Sequence, residues 1–125
     1  MRFLGIDYGR RRIGLALGEK GAVRPLAVMK KDSSFWEKLA QLCQRENIDY
    51  IVLGWCEDLQ PDIGKFFSRL SRICPVVKVD ETLTTKKGVD RMIKEGVSQK
   101  RRQKKRDIFA AMAILEDFFQ GGENV

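Results

Sequence analysis

The sequence predicts a single α/β domain in which helices flank a mixed β-sheet. Its 125 residues suit one domain. Three strand-like segments open the chain, and helical and strand patterns alternate after them. Residues 49–54 are almost continuously apolar, which is typical of a strand covered on both faces. The domain is expected to span residues 1–120, with a frayed tail at 121–125.

The first three strands are predicted to form a meander. Residues 2–7 and 12–18 are strand segments joined by a short basic link, which indicates a hairpin. A third strand is predicted at about 22–29. Because proline cannot donate to a central ladder, Pro25 places that strand at an edge of the sheet.

The remaining elements are predicted from helical spacing of apolar residues and from short apolar strands. Asp32, Ser33 and Ser34 are N-cap candidates for the first helix, which should end near Asn47. The later elements are a strand at 49–54, a helical stripe from Ile63 to Ile73, a strand at 76–79, a helix from Thr84 or Thr85 to Gly96, and a last helix at about 106–119.

The positive charge is concentrated in one run. The formal net charge is +7, and six basic residues lie between positions 100 and 106. They are Lys100, Arg101, Arg102, Lys104, Lys105 and Arg106. A basic loop on an otherwise near-neutral body indicates an anionic partner such as nucleic acid, the alternative being a solvated loop. Since the run contains no aromatic residue, it would follow a phosphate backbone rather than distinguish bases.

Cysteine and histidine usage excludes several classes of site. The chain has no histidine, and Cys43, Cys56 and Cys74 form no C-x-x-C pair. A structural zinc site and a histidine-dependent triad are therefore excluded. Cys43 and Cys74 are interpreted as small core residues in a reducing compartment. The apolar start is interrupted at Asp7, so neither a secretory leader nor a membrane span is predicted, and a cytoplasmic location is expected.

Three acidic residues occupy positions suited to phosphodiester chemistry. Asp7 ends the first strand, Glu81 follows the strand at 76–80, and Asp107 is predicted to open the final helix. Ligands of open α/β sheets bind beyond the carboxyl ends of the strands. Two divalent ions held by a few carboxylates can activate water and stabilise the leaving oxygen. Alternatively, Asp107 interacts with the helix dipole and Asp7 forms a turn.

At these residues the chain resembles the YqgF family, which are Holliday-junction-resolvase-like proteins implicated in trimming the small-subunit ribosomal RNA precursor. The similar segments are Leu4-Gly5-Ile6-Asp7-Tyr8-Gly9 with Arg11-Arg12-Ile13-Gly14-Leu15-Ala16, Asp80-Glu81-Thr82-Leu83-Thr84-Thr85, and Gly96-Val97-Ser98 followed by Asp107, Ala110-Ala111 and Ile114-Leu115. They occur in the family's order and cover nearly the whole chain.

The resemblance implies a ribonuclease-H-like fold and a nuclease that depends on Mg²⁺ or Mn²⁺. It implies that Asp7, Glu81 and Asp107 are the catalytic residues and metal ligands. It also implies that Arg12 and the basic loop face the nucleic acid. Arg10 and Arg11 are added to that interface because they adjoin Asp7, although they could instead be charges that protect a strand edge.

Two segments depart from the family pattern. Thr82 stands where the family usually has arginine, so one phosphate or structural contact is in doubt. Residues 55–59 replace a Leu-Pro segment at the same sheet edge, which points to a different substrate preference. Asp58 in that segment is either an accessory ligand or a solvated loop acid.

Several smaller interpretations have two readings. Gly9 and Gly14 either let a backbone approach phosphate or serve the hairpin. Trp55 either stacks on a base or packs in the core, and core packing is favoured for Trp36.

The predicted function is endonucleolytic cleavage of structured RNA, specifically 5′-end processing of pre-16S rRNA in ribosome biogenesis. Two alternatives are resolution of four-way DNA junctions and non-catalytic binding of nucleic acid as a ribosome-assembly factor. No membrane partner is expected, and a monomer and a homodimer are both open.

Overall fold

The computed structural model describes residues 1–56, 60–80 and 99–121, with backbone alone at 99–105. These residues form five strands and three helices around one sheet. The elements are β1 (Arg2–Tyr8), β2 (Arg12–Glu19), β3 (Ala22–Lys30), α1 (Phe35–Arg45), β4 (Tyr50–Trp55), α2 (Ile63–Leu70), β5 (Val76–Asp80) and α3 (Gln99–Phe119).

The sheet is mixed, and its strand order is β3-β2-β1-β4-β5. β1 pairs antiparallel with β2, and β2 pairs antiparallel with β3. On its other side β1 pairs parallel with β4, which pairs parallel with β5. The predicted meander and mixed sheet are confirmed. Because β1, β4 and β5 run in the same direction, their carboxyl ends lie at one edge, which we call the carboxyl edge.

The edge position predicted for the third strand is confirmed. β3 is the outermost strand on its side, and Pro25 lies opposite Ala16 of β2. Leu15 is opposite Ala27, so one extra residue, Leu26, is accommodated between the two pairs. A bulge of this kind twists an edge strand and makes it a poorer template for further pairing.

Strand alternation divides the core into two layers. Leu4, Ile6 and Tyr8 of β1 pack with apolar residues of α1 and α2 on one face of the sheet. The opposite face packs against α3, whose Ala111, Met112, Ile114 and Leu115 meet Ala16, Val52 and Val79. The intervening residues of β1, Gly5 and Asp7, belong to the α3 face. Asp7 therefore lies on the side of the sheet that carries Asp107.

Glycine residues allow α3 to lie unusually close to the sheet. A methyl group at Gly14 would fall 1.9 Å from the carbonyl oxygen of Asp107. One at Gly5 would fall 2.8 Å from the carbonyl oxygen of Ala111. Neither contact is possible for a residue with a Cβ unless the helix moves. Small residues therefore occur on both sides of this contact, since α3 has Ala110 and Ala111 in the segment that packs against glycine residues of the strands.

The prediction for the final helix was wrong at its beginning. α3 begins at Gln99 rather than near 106, so the basic run is helical backbone and not a loop. Lysine, arginine and glutamine are all good helix formers, and no glycine or proline lies between 99 and 119. The charge run was mistaken for a boundary. The helix predicted between Thr84 or Thr85 and Gly96, and the tail at 122–125, lie outside the described residues.

The helix on the opposite face is bounded largely as predicted. α1 ends at Arg45, and Asn47 has a positive φ of 53°, a common way to terminate a helix. At its start Ser34 makes no side-chain cap; instead Asp32 accepts hydrogen bonds from the backbone and the hydroxyl of Ser34, at 3.0 and 2.8 Å. α2 ends at Leu70, and Ile73 follows in a turn that still packs against the core.

The cysteines behave as the sequence predicts. Cys43 and Cys74 are buried, and none of the three cysteines forms a disulfide within the described residues. Burial raises the pKa of Cys43 to about 11, so this thiol stays protonated and unreactive at neutral pH. No helix within the described ranges is long and apolar enough to span a bilayer.

Candidate active site and nucleic-acid interface

Asp7 is a buried acid near the carboxyl edge of the sheet. It is the next-to-last residue of β1 and is only 8% exposed. Among the described residues it is the one charged side chain classed with the core. Burying a carboxylate is costly unless cations or donors compensate it. Its position is therefore better explained by a site than by a turn.

Asp107 lies on α3, the helix that packs over Asp7 and the neighbouring residues of the sheet. It lies in the third turn of α3, so the alternative that it interacts with the helix dipole from the first turn is wrong. Asp7 is opposite Gly14 in the β1–β2 register, and the backbone of Asp107 contacts Gly14 from above. The two acids, distant in sequence, thus meet at one glycine. Gly14 serves this helix contact, which neither reading of it anticipated.

The electrostatics of Asp107 are those of a desolvated acid beside arginines. Burial raises the pKa of its carboxyl group, while Arg12 and Arg106 oppose that shift. The Nε atom of Arg12 lies 3.2 Å from Oδ2 of Asp107. Nevertheless, this buried oxygen accepts no hydrogen bond within the described part of the chain. It is left with coordination capacity that a cation would use.

Glu81, the third predicted acid, lies outside the described residues. It is bonded to Asp80, which ends β5 opposite Trp55 of β4. Since β5 runs parallel to β1, the peptide bond to Glu81 starts from the carboxyl edge. In residues 1–56, 60–80 and 99–121 no three acid, cysteine or histidine side chains cluster closely enough to hold a metal ion.

A basic cleft of about 840 Å³ adjoins Asp107. Its walls come from the β1–β2 link, the end of β3 and the start of the segment after it. The lining residues are Gly9, Arg10, Arg11, Arg12, Lys30, Lys31, Asp32 and Asp107. Five of these eight are cationic, which suits a phosphate backbone running past the carboxylates. The cleft thus gathers the three predicted arginines around one of the predicted acids.

Lys30 and Lys31 are cleft residues that the sequence reasoning missed. Arg12 is opposite Lys30 in the β2–β3 register, and the backbone amide of Lys31 donates to the carbonyl of Arg11 at 2.9 Å. The predicted meander already implied this arrangement. Antiparallel pairing of the second and third strands places Lys30 and Lys31 beside the arginines at positions 10–12. Reading the third strand only as an edge strand concealed it.

Lys31 is held in place by a small polar network. Its Nζ donates to the hydroxyl of Tyr8 and lies 4.3 Å from the centre of the Tyr8 ring. The same hydroxyl donates to Oδ2 of Asp62 at 2.6 Å. Burial, with the hydrogen bond to Asp62 next, raises the pKa of Tyr8, so the phenol stays protonated. The network ties the end of β3 to β1 and to the start of α2.

The basic run continues from the site along α3. Its backbone from 100 to 106 is helical, and Arg106 is exposed next to Asp107. The side chains of Lys100, Arg101, Arg102, Lys104 and Lys105 lie outside the description. The run and Asp107 share a single helix, which joins the predicted interface covalently to a predicted catalytic residue.

Comparison with known proteins identifies the family. The model of the RuvX Holliday junction resolvase family matches residues 1–121, which is nearly the whole chain. The chain belongs to the RuvX family. A relative from Chlamydia abortus, named "Putative pre-16S rRNA nuclease", is 36% identical, with 94% of this chain and 89% of that protein covered. A relative of the same name from Syntrophus aciditrophicus is 31% identical, with 94% and 87% covered.

Solved structures show that this RuvX-family chain has the fold of junction resolvases. Fowlpox virus resolvase, determined with Holliday junction DNA, matches with a TM-score of 0.68 at 14% identity, covering 97% of this chain and 98% of that one. Thermus thermophilus RuvC, determined with a Holliday junction substrate, matches with a TM-score of 0.60 at 16% identity, covering 100% and 99%. The predicted ribonuclease-H-like fold and family resemblance are confirmed.

The departures from the RuvX-family pattern are only partly described. Thr82 and residues 57–59, which include Asp58, lie outside the described residues. Trp55 packs edge-on against Phe67, and Nζ of Lys78 lies 4.0 Å from the centre of its ring. Trp55 and Trp36 both pack against the α1/α2 core layer. Core packing therefore explains both tryptophans, and Lys78 already covers a face of Trp55.

Gly9 has a structural role in the β1–β2 link of this RuvX-family chain. A methyl group at Gly9 would fall 2.3 Å from the carbonyl oxygen of Arg12. The absence of a side chain lets the link fold back on itself, and this arrangement brings Arg10, Arg11 and Arg12 to the cleft. Of its two sequence interpretations, the structure favours the hairpin.

Proposed function

We propose that residues 1–120 form a metal-dependent endonuclease domain that hydrolyses phosphodiester bonds in structured nucleic acid. The proposed reaction is 5′-end processing of pre-16S rRNA in the cytoplasm. The observation that carries this proposal is the meeting of Asp7 and Asp107 at Gly14 beside a basic cleft. The names of the curated relatives support the RNA substrate, and the free thiols are compatible with a reducing compartment.

The donor set fits a hard divalent cation. Carboxylate oxygens are the ligands that Mg²⁺ and Mn²⁺ prefer, and the buried Oδ2 of Asp107 has no hydrogen bond that binding would break. We propose Asp7, Glu81 and Asp107 as the catalytic residues and the metal ligands. Bound Mg²⁺ or Mn²⁺ would supply Lewis-acid activation of water and charge stabilisation at phosphorus.

The acidic residues of the site and its basic residues have separate roles in this proposal. The carboxylates would hold the ions in a fixed position relative to the sheet, since Asp7 is held by β1 and Asp107 by α3. Arg10, Arg11 and Arg12 contact phosphates that flank the scissile bond, and Lys30 and Lys31 extend that contact along the cleft. The basic run of α3, comprising Lys100, Arg101, Arg102, Lys104, Lys105 and Arg106, binds the backbone on the other side of Asp107.

A second candidate substrate is the four-way DNA junction. The observation that favours it is the similarity in fold to two proteins determined with Holliday junction DNA. The described cleft is basic and contributes no aromatic side chain. It would therefore recognise the shape of a nucleic acid through its phosphates, and both RNA and DNA can present such a shape. The third hypothesis, a binding protein without catalysis, would not explain why Asp107 lines a basic cleft and a second acid, Asp7, is buried opposite Gly14 beside it.

The test compares both substrates under the same conditions. Purified wild-type protein is incubated with a 5′-extended pre-16S rRNA fragment or a synthetic four-way DNA junction, with Mg²⁺, Mn²⁺ or excess chelator. We expect cleavage of the RNA that requires the metal. Faster cleavage of the junction would assign the second candidate. Binding of either substrate without cleavage of any would refute the nuclease proposal and leave the assembly-factor reading.

Binding is expected to weaken steeply with salt because of the basic run. The six cations of the run contribute about −4 to −5 to the slope of log affinity against log salt concentration, in addition to the contribution of the cleft cations. Replacing Lys104 and Lys105 together with alanine should reduce the steepness by about 2. Fluorescence anisotropy with a labelled RNA hairpin measures both slopes.

A charge-matched control separates this contribution from net charge. Arg45 at the end of α1 and Lys65 on α2 are exposed on the opposite face of the sheet. Replacing both with alanine removes the same charge and should leave the salt slope unchanged. If the two double variants alter the slope equally, the run is not the interface.

Tyr8→Phe is expected to weaken the attachment of Lys31 to the cleft wall, leaving its contacts with the ring and with Asp62. The variant loses a hydroxyl that receives a hydrogen bond from Lys31 and donates one to Asp62, and Tyr8 is only 3% exposed. We expect the free energy of unfolding to fall by about 1 kcal/mol and RNA affinity to fall about two- to fivefold.

Urea titration and anisotropy provide the two measurements, with Tyr50→Phe as the control. The hydroxyl of Tyr50, at the other end of the sheet, makes no hydrogen bond in the described part of the chain, so this variant should match the wild type. Unchanged RNA affinity in Tyr8→Phe would show that the hydroxyl of Tyr8 is not needed to position Lys31, whose Nζ atom also lies 3.7 Å from Oδ2 of Asp62.

A further inference from the structure

Arg12 already occupies part of the site proposed for the metal. Its Nε atom is 3.2 Å from Oδ2 of Asp107, and that carboxylate side chain is 16% exposed. The oxygen still accepts no hydrogen bond within the described ranges, so the guanidinium neutralises it without saturating it. The contact is a charge pair of imperfect geometry on a group that the proposed function assigns to a divalent ion.

The two cations compete for the same oxygen. A guanidinium at 3.2 Å and a divalent ion bound directly to Oδ2 would be close enough to repel each other strongly. Binding of the ion therefore favours a conformation in which Arg12 has moved away. Once displaced from Asp107, Arg12 has an alternative partner, because it also lines the cleft in which we propose that phosphates bind.

The surroundings of Arg12 allow this exchange without movement of the backbone. Its side chain is 53% exposed, whereas its backbone is fixed at the start of β2, where it pairs with Lys30 of β3. Oδ2 of Asp107 is buried, so Arg12 can leave it at little cost only when another cation takes its place, which the divalent ion does. A guanidinium matches the geometry of a phosphate better than a single carboxylate oxygen approached from Nε.

We propose that Arg12 is a positioning residue that exchanges partners during the reaction cycle. It holds Asp107 while the site lacks a divalent ion, and it turns to a substrate phosphate when the ion binds. This inference rests on the proposed function and adds a coupling to it. Metal and nucleic acid bind cooperatively, because each removes the competitor of the other.

Metal affinity without substrate provides the first test. Mn²⁺ is titrated into the wild type, Arg12→Ala and Arg11→Ala, and free Mn²⁺ is measured by its electron paramagnetic resonance signal. Arg11 lines the same cleft, so its loss removes the same charge without breaking a contact to Asp107. We expect Arg12→Ala to bind Mn²⁺ about threefold more tightly than the wild type, and Arg11→Ala to bind nearly as the wild type does.

The outcomes separate this inference from the proposed function. Equal Mn²⁺ affinity in Arg12→Ala and Arg11→Ala, or weaker binding in Arg12→Ala, overturns the exchange while the metal site stands. If the folded wild-type protein binds no Mn²⁺ at millimolar concentrations, the proposed metal site itself fails, and the exchange fails with it. Circular dichroism of each variant shows that the comparison is made between folded proteins.

Coupling between the two ligands provides the second test. Affinity for a synthetic four-way DNA junction is measured with and without Ca²⁺. Ca²⁺ replaces Mg²⁺ and Mn²⁺ so that binding is measured separately from cleavage. We expect Ca²⁺ to tighten binding in the wild type and in Arg11→Ala, and to have an effect about threefold smaller in Arg12→Ala. An equal effect of Ca²⁺ in all three proteins would contradict the exchange of partners.

Discussion

Asp107→Asn is expected to reduce the rate of nucleic-acid cleavage by at least about a thousandfold while the protein remains folded. The amide keeps the shape of the side chain but removes the negative charge that would hold a divalent ion. The carboxylate is largely buried, and burial raises its pKa. A neutral residue is therefore better tolerated at this position in the fold than the ionised acid is.

The stability of the same variant gives an independent prediction with a definite sign. Because the folded protein holds the Asp107 proton more tightly than the unfolded chain, this group contributes most to stability at low pH. Its contribution is lost as pH rises from the ordinary aspartate pKa through the raised folded value. We therefore expect Asp107→Asn to unfold at no lower urea concentration than the wild type at pH 7.

Asp117→Asn is the matched control for cleavage, since it makes the same chemical change at the far end of α3. It should cleave at the wild-type rate. Comparable losses in Asp107→Asn and Asp117→Asn would show that helix stability, and not the site, limits the reaction. Full activity in Asp107→Asn would exclude Asp107 from the mechanism.

Gly14→Ala is expected to lower the free energy of unfolding by about 3 kcal/mol and to abolish cleavage. The added methyl group would lie 1.9 Å from the carbonyl oxygen of Asp107 and 2.9 Å from its Cβ. Both atoms belong to a packed helix, so α3 must shift as a body. The shift would displace Asp107 from Asp7, which is opposite Gly14 in the sheet.

Urea denaturation measures the loss of stability and a cleavage assay measures the loss of activity, with Gly64→Ala as the control. A methyl group at Gly64 meets nothing within 4 Å, and the residue lies inside α2. Alanine there should stabilise the protein by up to about 1 kcal/mol, because glycine is a poor helix residue. If Gly14→Ala is as stable as the wild type, the close contact between α3 and β2 is not needed for folding.

The strands were largely predictable because their signals are local. Alternating or continuous apolar segments gave β1, β2 and β4 with small boundary errors, and Pro25 placed β3 at an edge. The length of α3 was not predictable from the same signals. A run of cations resembles a solvated loop, yet its residues have high helix propensity, and no glycine or proline lies between 99 and 106 to break the helix.

The candidate site divides in the same way. Asp7 and Asp107 stood out because each borders a recognisable element, and the family resemblance joined them to Glu81. Their meeting at Gly14 depends on how closely a helix packs on the sheet, which no local pattern encodes. Lys31 was missed because its position follows from strand register and from the Tyr8 hydroxyl, both of which are tertiary features.

The continuity of α3 sets a length scale for the proposed enzyme. From Lys100 to Asp107 the helix axis advances about 10 Å. That distance equals roughly three base pairs of a duplex. The basic run of α3 can therefore contact the backbone only within a few nucleotides of the bond to be cut. Any discrimination based on more remote parts of a large RNA must then come from another surface or from the particle in which that RNA is packaged.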